Sequence, residues 1–209
     1  MIQMGHDVVC LITLQPQKDD SLLFHYPNSH LTKQLGEAID IPSFGFPVKE
    51  PTKQEELSSL AYAVKKAKAD YDIQGLVHGG ISSDFQKDNF QRVCSKEGLQ
   101  VFAPLWGLEP SRYMHDLIDN KFCIKIVGVS AMGLDQNWLG MTLDKYSLDK
   151  LEYLSRKYAF NLAFEGGEGE TLIVDCPIFK KRLEIKDARI KWDGQRGIFE
   201  ILEVALISK

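Results

Sequence analysis

The chain has 209 residues, 44% of them hydrophobic and 26% charged, with a formal net charge of −4. That is an ordinary globular composition, long enough for one large domain or two small ones. It offers no basic surplus to draw nucleic acid or an anionic membrane, no apolar run of spanning length, and no basic-then-apolar leader at the N-terminus. The four cysteines (Cys10, Cys94, Cys123 and Cys176) are far apart and lack zinc spacing, so buried free thiols in a reducing cytoplasm are expected.

In chain order, residues 1–6 read as the last turn of a helix capped by Gly5. A chain beginning there looks as if something upstream is missing. Residues 7–14 are a continuous apolar, β-branched run, the pattern of a strand buried on both faces. After a polar loop come His25, Tyr26, Pro27 and Asn28, where Pro27 forces an extended or turn geometry. Capping and turn formation account for His25 and Asn28 by themselves. Residues 29–39 suit a helix, 41–48 a short strand, and 53–70 an amphipathic helix with Leu57, Leu60, Ala61, Val64 and Ala67 on one face.

Residues 73–78 form the next expected strand. It runs into Gly79-Gly80-Ile81-Ser82-Ser83 and a helix over 84–97. A strand, a glycine turn and a helix start can hold a phosphate or carboxylate, although every βα unit turns in a similar way. No G-x-x-x-x-G-K-[ST] phosphate loop occurs. A short strand over 99–103 ends in Pro104-Leu105-Trp106, where Trp106 is either a ligand wall or a core plug. A helix over 110–120, a strand over 122–130, a long loop and a helix over 147–159 follow.

Next comes Phe164-Glu165-Gly166-Gly167-Glu168-Gly169-Glu170-Thr171, running into an apolar strand. Glycines free the backbone to turn and to approach a ligand closely. Glu165, Glu168 and Glu170 on such a turn can converge on a metal, an amine or a transferable proton. The tail is strand-like over 171–175, 180–192 and 197–208, with a hairpin signal at Asp193-Gly194. The basic residues of 180–191 are either a solvated strand face or a docking surface for an acidic partner.

Alternating strands and helices imply an α/β fold: a doubly wound, mostly parallel sheet, then a smaller mixed α+β region with antiparallel hairpins. The expected domains are 1–105 and 106–209.

Four segments in this order resemble the diphthine–ammonia ligases, members of the N-type ATP pyrophosphatase group. They are residues 25–28; 80–86 with Val93-Cys94; Pro104-Leu105-Trp106 with 127–129 and 133–140; and 165–171. The resemblance covers essentially the whole chain, and its most specific parts are 165–171 and Pro104-Leu105-Trp106. It implies an adenine-nucleotide α-hydrolase-like (HUP) fold, with a nucleotide-binding first domain and a substrate-binding second one. The implied activity is cytoplasmic, the last step of diphthamide synthesis. The carboxylate of diphthine on elongation factor 2 is adenylated by ATP with Mg²⁺, pyrophosphate leaves, and ammonia displaces AMP.

The resemblance further implies catalytic roles for Glu165, Glu168 and Glu170, and nucleotide contacts at His25, Asn28, Gly79, Gly80 and Ser82. Substrate contacts are implied at Gln86, Trp106, Gly166, Gly167 and Thr171. No protein metal ligand, membrane or direct nucleic-acid contact is implied.

Two departures stand out. Asn89 and Gln91 occupy positions where relatives often carry Arg and Glu. The family's opening strand, S-G-G-K-D-S loop and helix are not in the sequence. ATP turnover by residues 1–209 alone is therefore expected to be weak or absent, since the phosphates would lack that cradle. A start codon assigned too late explains this most simply, and reading the codons upstream of Met1 tests it. The alternative is an inactive family member that binds nucleotide or elongation factor 2. A third reading keeps the chemistry but makes the acceptor a small-molecule acid.

Overall fold

A computed structural model describes residues 1–16, 27–50 and 52–209. They form two compact units, Met1–Gly107 and Leu108–Lys209.

The first unit is built from parallel β–α units. Residues 2–4 make a single 3-10 turn closed by Gly5 at φ 84°, the left-handed cap that its glycine permits. Strand β1 (Leu11–Pro16) pairs in parallel with β2 (Ser43–Val48), with α1 (Thr32–Ile39) between them in sequence. The strand begins later than its apolar run because the first cross-strand bond is Leu11 N–H to the Pro42 carbonyl. Helix α2 (Lys53–Tyr71) starts where the Thr52 hydroxyl accepts the Glu55 N–H. Strand β3 (Gly75–Val77), α3 (Asp84–Lys96) and β4 (Gln100–Phe102) complete a second parallel pair. Both pairs contribute to one apolar core with α2 and α3, including Leu14, Val48, Val64, Cys94 and Leu99. Burial pushes the Cys94 thiol up to about 11, so it is an inert core group. Cys176 is also buried, Cys10 and Cys123 are half-buried, and all four thiols are free.

The second unit is a four-stranded antiparallel sheet with two helices. Its order is β6 (Gly169–Asp175), β5 (Cys123–Val129), β8 (Gly197–Ser208), β7 (Lys181–Trp192). The β7–β8 hairpin closes at Asp193, whose carboxylate accepts the Gln195 and Arg196 N–H groups at 2.9 Å. Helix α4 (Pro110–Asp119) packs against α5 (Lys145–Tyr158). Helix α5 opens with a capping box: Ser147 N–H donates to Asp144 Oδ1, and the Ser147 hydroxyl accepts the Asp144 N–H. Leu148 and Leu151 on α5 are fully buried with Ile124, Ile126, Trp138, Phe160 and Phe164. No helix among the described residues is long and apolar enough to cross a membrane.

Seven carboxyl groups of the second unit are held below their ordinary values: Glu109, Asp119, Asp144, Glu152, Glu184, Asp193 and Glu200. At Asp144 the cause is the Ser147 N–H and hydroxyl; at Glu152 it is first the Ser111 hydroxyl; at Glu200 it is Arg189 and then Lys191. A carboxyl depressed by folding adds stability above its unfolded value and loses it as pH falls through the folded value. The second unit should therefore become less stable below about pH 4. Denaturant melts of a Trp106→Phe variant at about pH 6 and pH 3.5, followed by the fluorescence of Trp138 and Trp192, measure this. Equal midpoints at the two pH values would contradict it.

Candidate functional site

In the first unit, the site residues gather where β3 and β4 end. The His78 N–H makes the last ladder bond, to the Phe102 carbonyl at 3.0 Å. The chain then leaves the sheet through Gly79 and Gly80. Gly79 is exposed and has open space where a Cβ would stand, so a ligand can approach the backbone there. Gly80 is buried: a Cβ on it would lie 3.1 Å from His78 Nδ1 and 3.2 Å from Gln86 Oε1. The Ser83 hydroxyl caps α3 by accepting the Gln86 N–H at 3.3 Å. Exposed Ser82 thus stands just before a helix N-terminus, whose partial positive charge favours anions.

The loop after β4 is tied to the same place. Gly107 N–H donates to the Ile81 carbonyl at 2.8 Å, and Lys87 Nζ lies 4.2 Å from the centre of the Trp106 ring. Trp106 is half-buried beside this turn. Gly79, Gly80, Ser82, Gln86 and Trp106 therefore belong to one cluster.

Asn28 sits at the end of the other parallel pair. It is 7% exposed, at φ 60°, and starts the 3-10 turn of residues 29–31. Gln15, near the end of β1, holds that turn by donating to the Ser29 carbonyl at 2.8 Å. His25 lies outside the described residues.

In the second unit, residues 159–168 form a tight connection from α5 to β6. Phe164 is buried at φ 61°, and Gly167 follows at φ 81° with its N–H on the Phe164 carbonyl at 3.2 Å. The carboxylate of Glu168 closes the turn from inside. Its Oε1 accepts the Asn161 N–H at 3.0 Å and its Oε2 accepts the Gly166 N–H at 2.8 Å. The Glu168 carbonyl accepts N–H groups of Ser130 and Ala131, and the Ser130 hydroxyl donates to the Gly167 carbonyl at 2.6 Å. Loop 165–168 is thereby fastened to the end of β5.

Glu168 is thus engaged in holding the loop. Glu165 and Glu170 are half-buried on either side of it. Glu165 stands near Tyr113 of α4, whose phenol is pushed up by burial and then by the Glu165 charge. Glu170 pairs with Gly128 across β5–β6, and a Cβ on Gly128 would lie 3.0 Å from that of Glu170. Gly166, Gly167 and Thr171 are exposed.

A groove of about 440 Å³ opens beside this loop, lined by Glu109, Ser111, Glu152, Arg156, Phe160 and Asn161 among others. Ser111 Oγ donates to Glu152 Oε1 at 2.6 Å, and Arg156 reaches the same oxygen at 2.8 Å. His115, Asp149 and Glu152 bring donor atoms within 4.8 Å of one another across α4 and α5. Sequence reasoning identified neither the groove nor this cluster. The i,i+4 spacing of Glu152 and Arg156 was visible, but the meeting of α4 with α5 was not. On β7, Arg189 and Lys191 pair with Glu200, and Lys186 pairs with Glu184. These pairings support the solvated-face reading of the basic strand.

The two halves of the chain match two family models. Residues 1–101 match the diphthamide synthase N-terminal domain, and residues 109–207 match the diphthamide synthase C-terminal domain. Human (Homo sapiens) diphthine–ammonia ligase is 30% identical over 207 residues, covering 90% of this chain and 77% of the human protein. The chain belongs to the diphthine–ammonia ligase family. The enzyme of that name from Schizosaccharomyces pombe is 28% identical and matches 90% of this chain but 34% of its own length. That from Bos taurus is 29% identical, with 77% of its length covered.

Proposed function

We propose that this chain carries out the ATP-dependent amidation of diphthine on elongation factor 2. The observation that carries the reading is the family match through both halves, to relatives named for joining diphthine and ammonia. A carboxylate resists attack by an amine until one of its oxygens becomes part of a good leaving group. ATP supplies that group as AMP.

Residues of the first unit suit the nucleotide. The exposed Gly79 backbone, Ser82 and the N-terminus of α3 favour an anion, and Trp106 offers a flat face for a planar group. In the second unit, Glu165 and Glu170 are the carboxylates suited to attract ammonium and take its proton. Their hard oxygens would equally suit Mg²⁺ arriving with the nucleotide. Glu168 acts earlier, by holding the backbone that carries both. Gly166, Gly167 and Thr171 present an exposed edge to the acceptor.

The test is AMP release by the protein expressed from its complete open reading frame. AMP should form only when ATP, ammonium and diphthine-bearing elongation factor 2 are all present. The factor should gain a carboxamide by mass spectrometry. No AMP under these conditions would refute the reading. AMP formed with a small carboxylic acid in place of the factor would move the acceptor to the small-molecule class.

A further inference from the structure

We infer that His78 is the positioning residue of the strand-end turn, setting which of its backbone N–H groups face a ligand. This rests on the reading of that turn as the nucleotide contact.

The imidazole is 7% exposed and lies flat on Phe90 of α3, with ring centres 4.8 Å apart and planes 8° from parallel. The stacking fixes the ring plane. Its Nδ1 then accepts the buried Gly80 N–H at 3.2 Å. A ring nitrogen that accepts carries no proton, so Nδ1 acts here as a fixed lone pair. The backbone of His78 is fixed as well, through its bond to Phe102. The ring is therefore anchored on both sides, and it holds the second glycine of the turn inward.

Two consequences follow for the site. The Gly80 N–H is consumed internally and is not a phosphate donor, contrary to the simplest reading of a Gly-Gly turn. The exposed backbone at Gly79, and the approach to the α3 N-terminus beyond it, are held in place by the same bond. A Cβ at position 80 would sit tightly, 3.1 Å from the ring's Nδ1 and 3.2 Å from Gln86 Oε1, so glycine suits the ring's place there. The glycine at 79 meets open space and leaves room for the ligand.

Two substitutions separate the lone pair from the ring. His78→Phe keeps the stack on Phe90 and removes the acceptor. His78→Asn removes the ring but places an amide oxygen near the Nδ1 position. Amide hydrogen exchange at Gly80 by NMR reads the latch directly, and titration of the Gly79–Ser82 amide signals with ATP reads the ligand. In His78→Phe the Gly80 amide should exchange faster by roughly tenfold, and ATP should bind roughly tenfold more weakly, the worth of one buried hydrogen bond. His78→Asn should restore both. Unchanged Gly80 exchange in His78→Phe, or unchanged ATP affinity in that variant despite faster exchange, would overturn the inference. If ATP moves none of these signals in the unsubstituted protein while His78→Phe still accelerates Gly80 exchange, the nucleotide reading fails and the latch stands.

Discussion

Replacing Glu168 with alanine should lower the melting temperature of the second unit by about 10 °C and collapse AMP release. The carboxylate accepts two backbone N–H groups, one on each oxygen, from Asn161 and Gly166. Hydrogen bonds to a charged acceptor contribute about 1.5 kcal/mol or more each. Glu168 is half-buried, so water recovers part of that, and about 2 kcal/mol is a fair net loss. For a unit of this size, 1 kcal/mol corresponds to about 4–8 °C. Glu168→Gln keeps one acceptor oxygen and turns an amide N–H₂ toward the other donor, so it should recover about half of the stability at most. Glu165→Gln distinguishes holding from chemistry: it should reduce AMP release by about tenfold or more and leave the melting temperature nearly unchanged. Circular dichroism melts alongside AMP assays on the three variants provide the check. A Glu168→Ala protein that melts like the parent would remove Glu168 from its holding role.

Leu151→Ala should cost the second unit about 3–4 kcal/mol, close to the larger values for core truncations. The side chain is fully buried, in one cluster with Leu148, Ile124, Ile126, Phe160 and Phe164. Truncation removes transfer energy and leaves a cavity that a β-sheet on one side and helix α4 on the other cannot close. The effect should reach the functional loop. Phe164 belongs to this cluster and starts the turn that Glu168 completes, so a loosened core lets residues 164–168 move. Leu202→Ala is the control. That residue is 48% exposed on β8 and should change stability by less than about 0.5 kcal/mol. Urea midpoints of the two variants measure the contrast. A Leu151→Ala loss no larger than the control's would show that the cluster is not the core of the second unit.

Elements whose signals are local were legible in the sequence. Helix α2 lies where its periodic apolar face placed it, because 3.6-residue spacing and the Thr52 cap are both written within a few residues. The hairpin β7–β8 turns at Asp193 and Gly194 because an aspartate that accepts neighbouring N–H groups and a glycine at φ 104° need no distant partner. Strand β1 was displaced by several residues. A continuous apolar run carries no periodic mark of its ends, and the partner strand β2 decides where pairing starts.

The candidate site divides in the same way. The sequence by itself determined that glycines and glutamates would concentrate at 165–171, that a glycine turn would follow the third strand, and that the resemblance lay with the diphthine–ammonia ligases. Those are matters of residue type and spacing along the chain. Only the tertiary structure decided that Glu168 spends both oxygens on the backbone while Glu165 and Glu170 flank it, that His78 turns the Gly80 N–H inward, and that α4 and α5 meet to open the groove beside Asn161. A carboxylate or an imidazole has the same chemistry wherever it is written. What it does depends on which donors folding brings within about 3 Å of it, and those come from residues whose spacing along the chain does not announce the encounter.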